Sequence, residues 1–347
     1  MLDDEDVSGE EVEEISDEGV TYQINTFGAD YTIDGLVKRF DKGSIFKPKF
    51  QRNYVWSWPQ ASKFIESILL GLPIPSIFLY REEATQKHLI VDGLQRLTTL
   101  HAFQKGRFEH NDRVFRLKDV KNRYENKTLE DLDEDDQRRF EDSVIHAMII
   151  QQMAPDDSNS SVFHIFDRLN SNGTPLQAQE IRTAVYHGKF QQAIAELNDV
   201  GDWRDIFGPF NKRAKDQEMI LRFFALWLKP QGYEKPMKGF LNDFMSKNRN
   251  PSDDELKRWK LMFTETVSRA NSALPEKPFR PTRTFNASVY ESFMVAIARH
   301  PEASNQDIVE AYEKCVNNPE YIRMCTIATS DDANVQGRLR IASEAFE

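Results

Sequence analysis

The chain has 347 residues, of which 29% are charged, a formal net charge of -11 and two cysteines. This length suits about two domains with substantial cores. No apolar run approaches the ~20 residues that span a bilayer, and the N-terminus is acidic where a signal peptide is basic, so we expect a cytoplasmic protein without a membrane segment. Cys315 and Cys325 lack metal-binding spacing, which favours core positions in a reducing compartment.

The first predicted element is an acidic tail over residues 1–20. Residues 1–18 contain ten carboxylates and neither lysine nor arginine, so the rest of the chain is close to neutral. Such a segment is predicted to be disordered. Two roles stay open: a solubilising tail, or a segment that imitates nucleic acid and covers a basic surface.

Residues 45–60 interleave cations with aromatic rings ahead of a helix opened by Pro59. Such a segment can stack a base and hold a phosphate, although most aromatic rings belong to the core. The side chains concerned are Phe46, Lys47, Lys49, Phe50, Arg52, Tyr54, Trp56 and Trp58.

Residues 88–103 predict a buried strand, a turn at Asp92 and Gly93, and a helix. Glycine permits an unusual backbone turn, and the free N–H groups of the first helical turn suit an anion. Arg96 would add a multi-donor charge, while Asp92 could hold a cation or a water that Gln95 orients. A capped helix with a surface arginine is the alternative.

Residues 163–188 predict two helices separated by the polar turn 170–173. Thr174 and Gln177 have capping-box spacing, Pro175 suits the first helical position, and Gly188 is expected just past the helix end. Glu180 would lie on this helix, either as a metal ligand or as an exposed carboxylate paired with Arg182 or Thr183.

The chain after residue 190 is predicted to be almost entirely helical, with loops rich in proline, glycine and asparagine. Two basic groups are candidates for contact with DNA, and a solvated face is the alternative. They are Arg204, Lys212, Arg213 and Lys215, and Lys277, Arg280 and Arg283. The predicted helices are Asp216 to Leu228, Lys238 to Ser246, Asp253 to Ser272, Ala287 to Arg299 and Asn305 to Val316.

Four segments, in order and spacing, resemble the N-terminal domain of GmrSD-type restriction endonucleases over roughly residues 25 to 190. They are FQRNYVW (50–56), the helix and LPIP (64–75), VDGLQRLTTL (91–100) and FDRLNSNGTPLQAQEIR (166–182). The family usually has DGQQR where this chain has DGLQR, so Leu94 replaces the first glutamine.

The resemblance implies an α+β fold similar to the ParB and sulfiredoxin group, a small mixed sheet with helices, over residues 21–190. The helical pattern predicts that an all-helical domain follows over residues 191–347. The resemblance also implies a nucleoside triphosphate with Mg²⁺, and hydrolysis that drives or licenses DNA cleavage. The expected catalytic residues are Asp92, Gln95 and Arg96, the expected metal ligands Asp92 and Glu180, and the expected nucleotide contacts Gln51, Arg52, Tyr54, Trp56, Gly93, Thr98, Asn170 and Gly173.

Three functions follow as alternatives. In the first, the chain is a nucleotide-binding, hydrolysing regulator of a restriction or anti-phage system, acting on DNA with a separate nuclease subunit, with homo-oligomers possible. In the second, it is itself a metal-dependent endonuclease using Asp92, Glu180 and Glu66. In the third, it is a DNA-binding or interaction protein without catalysis.

Overall fold

The computed structural model describes residues 7–8, 23–47, 54–82, 85–154, 165, 177–211, 213–281 and 283–347. The chain divides into two compact units, one spanning Thr21–Pro175 and the other combining Met1–Val20 with Leu176–Glu347. This division falls earlier than residue 190, where the sequence placed it, because the helix after Pro175 has its partners among the C-terminal helices.

The elements of the described residues are numbered in chain order. The strands are β1 (Val7–Ser8), β2 (Gln23–Thr32), β3 (Ile45–Phe46), β4 (Ile77–Arg81), β5 (His88–Asp92), β6 (Val144–Ala154) and β7 (Phe285–Asn286). The helices are α1 (Ile33–Asp41), α2 (Trp58–Leu69), α3 (Leu94–Lys105), α4 (Glu134–Asp142), α5 (Ala178–Val185), α6 (Lys189–Leu197), α7 (Gly201–Phe207), α8 (Lys215–Leu228), α9 (Met237–Lys247), α10 (Asp253–Ala273), α11 (Ala287–Arg299), α12 (Asn305–Val316), α13 (Pro319–Met324) and α14 (Asp332–Glu344).

The N-terminal unit is built on a mixed sheet with the strand order β2-β6-β4-β5-β3 among the described residues. Strand β2 runs antiparallel to β6 from Gln23 to Thr32, and β4 lies between β6, to which it is parallel, and β5, to which it is antiparallel. Strand β3 is parallel to β5. The predicted α+β class with a small mixed sheet is confirmed.

Helices α1 to α4 bury their apolar residues in the core of this unit. Leu36, Ile65, Leu100, Phe103 and Phe140 are fully buried in one cluster with the sheet residues Leu79, Ile90 and Ile149. Leu94 belongs to the same cluster, so the residue that departs from the family pattern is a core residue here. Burying such side chains contributes about 1.5–3 kcal/mol each.

Helix α2 begins as its sequence predicts. Ser57 is the N-cap, its side chain accepts from the Gln60 backbone, the Gln60 side chain returns the bond, and Pro59 occupies the first turn. This arrangement satisfies two N–H groups that would otherwise lack partners.

The C-terminal unit is helical apart from β1 and β7, which pair in parallel. Helices α11 and α12 have the bounds that the sequence predicted, and α8, α9 and α10 match within two residues. Both cysteines are buried and unbridged, and burial raises the pKa of each thiol to about 12.

A buried chain of alternating charges links α5, α8, α11 and α14. Arg182 contacts Glu218 at 3.1 Å, Glu218 contacts Arg222 at 3.1 Å, and Arg222 contacts Glu291 at 3.2 Å. Glu291 also pairs with Arg338. Burial alone would raise the pKa of Glu218, but the surrounding cations outweigh burial and hold it far below its ordinary value. We call these five residues the charge ladder.

Gly188 lies past the end of α5, as predicted, and it is also the N-cap of α6. A Cβ on this residue would lie 2.4 Å from the carbonyl oxygen of Arg249, so glycine is required there by close backbone packing. Thr174 and Pro175 lie outside the described residues.

Among the described residues, no helix has both the length and the apolar character that crossing a bilayer requires.

Candidate functional site

The candidate site begins where β5 passes into α3. The strand ends at Asp92, and Gly93 follows in the left-handed region with φ of +100°. A Cβ on Gly93 would lie 2.5 Å from Cγ2 of Ile77, the first residue of the neighbouring strand β4. Both the backbone angle and the lack of space therefore require glycine, which lets the chain turn directly from strand to helix.

The first turn of α3 presents unpaired backbone donors. The first backbone hydrogen bond of the helix joins the Leu97 nitrogen to the Gly93 oxygen, and no described side chain caps the helix start. The N–H groups of residues 94–96 thus lack intrahelical partners. Together with the helix dipole they favour an anion.

Arg96 lies in this first turn and is held from two sides. One of its terminal nitrogens donates to Oδ2 of Asp92 at 2.7 Å and to the carbonyl oxygen of Ser76 at 3.0 Å. Its side chain is 17% exposed, whereas that of Asp92 is 43% exposed. The buried Nε of Arg96 has no hydrogen-bond partner among the described residues. A buried donor without a partner costs about 1–3 kcal/mol, so this atom calls for an acceptor.

Gln95 joins α3 to the aromatic segment that precedes α2. Its side-chain oxygen accepts hydrogen bonds from the backbone nitrogens of Val55 at 3.0 Å and Trp56 at 3.4 Å. The predicted water-orienting residue therefore has its acceptor oxygen engaged, and only its amide N–H groups are without a described partner. Its geometry suits a residue that positions residues 54–56.

Tyr54 is tied to the same helix. Its hydroxyl lies 2.8 Å from that of Thr99, which in turn donates to the backbone oxygen of Gln95 at 2.7 Å. The Tyr54 ring packs on Phe108 and stacks on His110, with centroids 5.1 and 5.5 Å away. Burial raises the pKa of Tyr54 to about 12. The Tyr54 ring therefore has a structural role beside the first turns of α3.

Trp56 and Thr98 are half-buried beside these residues. Trp56 contacts Phe64 edge to face at 5.4 Å, and it retains exposed ring surface that a base could cover. Trp58, by contrast, packs edge to face on Phe108 and Phe115 and donates to the carbonyl of Arg116 at 2.6 Å, so it is a partly buried residue that packs against the core.

The contacts of Glu66 give it a structural role. Its carboxylate accepts from the backbone nitrogen of Lys121 at 2.6 Å and from the side chain of Lys63 at 2.9 Å, and it is 6% exposed. Oε1 thus holds the loop that contains Lys121, while Oε2 pairs with Lys63 within α2.

Glu180 has different surroundings from those expected. It is 3% exposed, accepts from the backbone nitrogen of Gln177 at 2.6 Å in a capping box, and pairs with Arg213 at 3.3 Å. The expectation of an exposed local pair with Arg182 or Thr183 is wrong, because Arg182 is buried in the charge ladder. Asp92 and Glu180 belong to different compact units, so their joint metal role stays a prediction.

Four expected nucleotide contacts, Gln51, Arg52, Asn170 and Gly173, lie outside the described residues. Within the described ranges, no three histidine, cysteine, aspartate or glutamate side chains gather as a metal site. Asp92 is therefore the described carboxylate beside the unpaired donors of α3.

Residues 33–187 fit the family model described as the GmrSD restriction endonuclease, N-terminal domain. This confirms the resemblance drawn from the four sequence segments. No curated protein matches the chain.

Proposed function

We propose that this chain binds and hydrolyses a nucleoside triphosphate. It would do so as the regulatory part of a restriction or defence system, which the GmrSD N-terminal domain in residues 33–187 indicates. One observation carries the proposal: the N–H groups of residues 94–96 are donors without a described partner, and the partly exposed guanidinium of Arg96 lies beside them. A group rich in acceptor oxygens, such as a phosphate, would satisfy them together.

The phosphate contacts would come from groups that are already positioned. Asp92 and the Ser76 carbonyl fix the guanidinium of Arg96, so binding would order little additional side chain. Guanidinium and phosphate form short, charge-assisted hydrogen bonds. Gly93 allows the phosphate to approach the backbone closely, because it has no Cβ.

The residues also fit Mg²⁺. Mg²⁺ keeps several waters and usually takes one or two carboxylates together with substrate phosphates. Asp92 has its Oδ1 without a described partner, so it can supply one such ligand while Oδ2 holds Arg96. When bound, the ion would neutralise charge on the phosphate oxygens.

Hydrolysis needs an oriented water and stabilisation of the transferred phosphoryl group. The water oxygen bonds to the terminal phosphorus as the bond to the bridging oxygen breaks, which releases a diphosphate and inorganic phosphate. Arg96 and the first-turn N–H groups would stabilise the charge that develops on the phosphate oxygens. Asp92 Oδ1 would accept a hydrogen bond from the water, while Gln95 would position residues 54–56 beside the site.

The base would lie toward the aromatic segment. The exposed part of the Trp56 ring offers a stacking surface, whereas Tyr54 is enclosed by Phe108 and His110. Stacking tolerates any base, so specificity would depend on other contacts. DNA and a separate nuclease subunit are the partners that we propose for the restriction reaction.

The test is isothermal titration of the full chain with each of the four ribonucleoside triphosphates and Mg²⁺, followed by phosphate release with and without DNA. We expect saturable binding to at least one nucleotide and release that DNA stimulates. Arg96→Ala should weaken binding on the order of 10- to 100-fold, since it removes charged hydrogen bonds.

Arg107→Ala is the matched control, because Arg107 is an exposed arginine of the same unit paired with Asp112. It should leave binding unchanged. Absence of binding to all four nucleotides, or equal binding by a folded Arg96→Ala variant, would exclude this pocket. Metal-dependent nicking of DNA by the isolated chain, lost on Asp92→Ala, would favour the endonuclease alternative.

A further inference from the structure

The acidic N-terminal segment is attached to the C-terminal unit through β1. Val7 pairs in parallel with Phe285, and Ser8 pairs with Asn286. The Ser8 hydroxyl also donates to the backbone oxygen of Phe285 at 3.4 Å. At these two residues, the predicted disordered tail is a strand with a defined partner, while residues 1–6 and 9–20 lie outside the described residues.

The strand that receives β1 is firmly held. Phe285 is 1% exposed and packs on Phe207 and Tyr290, with centroids 5.0 and 5.3 Å away. Asn286 caps α11 by accepting from the Val289 nitrogen at 2.9 Å, and its side chain donates to the carbonyl of Cys325. Strand β7 is thus a rigid edge on which an extended segment can add.

The two sequence segments that contain β1 and β7 carry opposite charges. The residues on either side of β1, within residues 1–18, supply ten carboxylates and no cation. The loop that leads into β7 supplies Lys277, Arg280 and Arg283 within residues 277–286, with no carboxylate among them. Lys277 and Arg283 are exposed, and the Arg280 guanidinium lies 5.2 Å from the Phe285 ring centroid.

We infer that residues 277–286 form a surface for the DNA backbone and that the chain's own residues 1–18 occupy it, held in place by the pairing of β1 with β7. Arg280 positions this loop, because its guanidinium donates to the carbonyls of Ile206 and Phe207 at 3.0 and 2.7 Å. In this arrangement, carboxylates of residues 1–18 take the positions that DNA phosphates would take. Duplex DNA and the segment compete for the same cations, and DNA displaces it only at low salt or high local concentration.

The experiment measures binding of a fluorescent, random-sequence DNA duplex to the full chain at low and at moderate salt. The first variant neutralises four carboxylates before β1: Asp3→Asn, Asp4→Asn, Glu5→Gln and Asp6→Asn. The second, Val7→Pro, removes a backbone N–H donor and the valine side chain from the pairing of β1 with β7. Both should raise DNA affinity on the order of tenfold at low salt and less as salt increases.

A charge-matched control separates local from overall electrostatics. Asp254→Asn, Glu310→Gln, Glu313→Gln and Glu320→Gln remove four exposed carboxylates from α10, α12 and α13. At moderate salt this control should change affinity less than about twofold, because it removes the same number of carboxylates without altering residues 1–18, and salt screens exposed charges over about 8–10 Å.

The basic loop is tested by Lys277→Glu with Arg283→Glu, made in the neutralised background. These changes should return DNA affinity to that of the unaltered chain or below it. Hydrogen exchange adds a direct readout: DNA should speed exchange at the backbone amides of residues 7–8.

The inference is overturned by unchanged affinity in both N-terminal variants, by an equal gain in the control, or by a gain that survives the loop substitutions. None of these outcomes bears on nucleotide binding, which the titration with triphosphates measures separately.

Discussion

The side-chain oxygen of Gln95 lies 3.0 Å from the backbone nitrogen of Val55, and this hydrogen bond joins the aromatic segment to the first turn of α3. Arg96 is the next residue, and Tyr54 reaches the same helix through Thr99. Residues 54–56 are therefore positioned by α3 itself. Any group that binds at the start of α3 meets this segment in a fixed orientation.

Gln95→Leu should make residues 54–56 more mobile and leave the rate of the hydrolysis step nearly unchanged. We expect amide exchange at Val55 and Trp56 to speed up at least about tenfold, because their shared acceptor is lost, at a stability cost of about 1 kcal/mol. If the proposed hydrolysis holds, KM for the nucleotide should rise and kcat should change less than about threefold.

The control is Gln104→Leu on the same helix, where the side chain bonds Asp34 instead. It should leave exchange at residues 55–56 and KM unchanged. A collapse of kcat at constant KM in Gln95→Leu would instead assign Gln95 a direct catalytic role.

Gly93→Ala should destabilise the N-terminal unit by about 2–4 kcal/mol, because the alanine combines a left-handed backbone with a clash against Ile77. Gly43→Ala provides the comparison, since Gly43 has φ of +65° and no atom within 4 Å of its Cβ position. That change should cost about 1 kcal/mol. Urea unfolding of the two variants measures the difference, and equal losses would show that the clash is relieved.

Tyr54 should make stability depend on alkaline pH. Its pKa is about 12 in the folded chain and 10.0 ordinarily, so the unfolded chain loses the phenol proton first. The contribution is complete below pH 10 and is lost as the pH rises from about 10 to about 12. Because the ring is partly exposed, we expect a loss of about 1 kcal/mol.

The measurement is the difference in unfolding free energy between the unaltered chain and Tyr54→Phe, taken from pH 8 to pH 12. Both proteins retain Cys315 and Cys325, whose thiols also titrate late, so the difference isolates Tyr54. The stability advantage of the unaltered chain should shrink across this range. A constant difference would contradict the raised pKa.

Removal of one end of the charge ladder should be costly. Arg338→Ala leaves Glu291 at 0% exposure with a single cation, and it strips hydrogen bonds from the carbonyls of Met324 and Thr329. We expect a loss of about 3–5 kcal/mol. Arg340→Ala, two residues later on α14, breaks an exposed pair with Glu344 and should cost less than about 0.5 kcal/mol.

Local sequence signals predicted much of the fold. The strand, turn and helix around Gly93, the Pro59 helix and the C-terminal helices follow from periodicity and capping, which are properties of neighbouring residues. The long strands β2 and β6 were not identified, because their alternation carries meaning only once their mutual pairing is known.

At the site, the structure differs from the sequence-based prediction where a residue's partner lies far away in the chain. Glu180 is read as exposed from its helix alone, yet Arg213, which lies 33 positions later, buries and pairs it. The sequence singles out Gln95 and Tyr54 but does not reveal that they contact each other's segments across about 40 residues. The sequence also singles out Asp92 and Arg96 but does not reveal their 2.7 Å contact across the turn from β5 to α3.

The family match and the compact units have different borders, and this matters for anyone who excises the domain. A fragment of residues 33–187 would lack β2, which pairs along almost the whole of β6, and would leave β6 as a bare edge prone to association. It would also end in α5 with Arg182 severed from Glu218 and Asn242. Such a fragment should aggregate. A fragment that begins at residue 21 and ends at Pro175 keeps the sheet intact and omits Arg182, which would otherwise lack its partners.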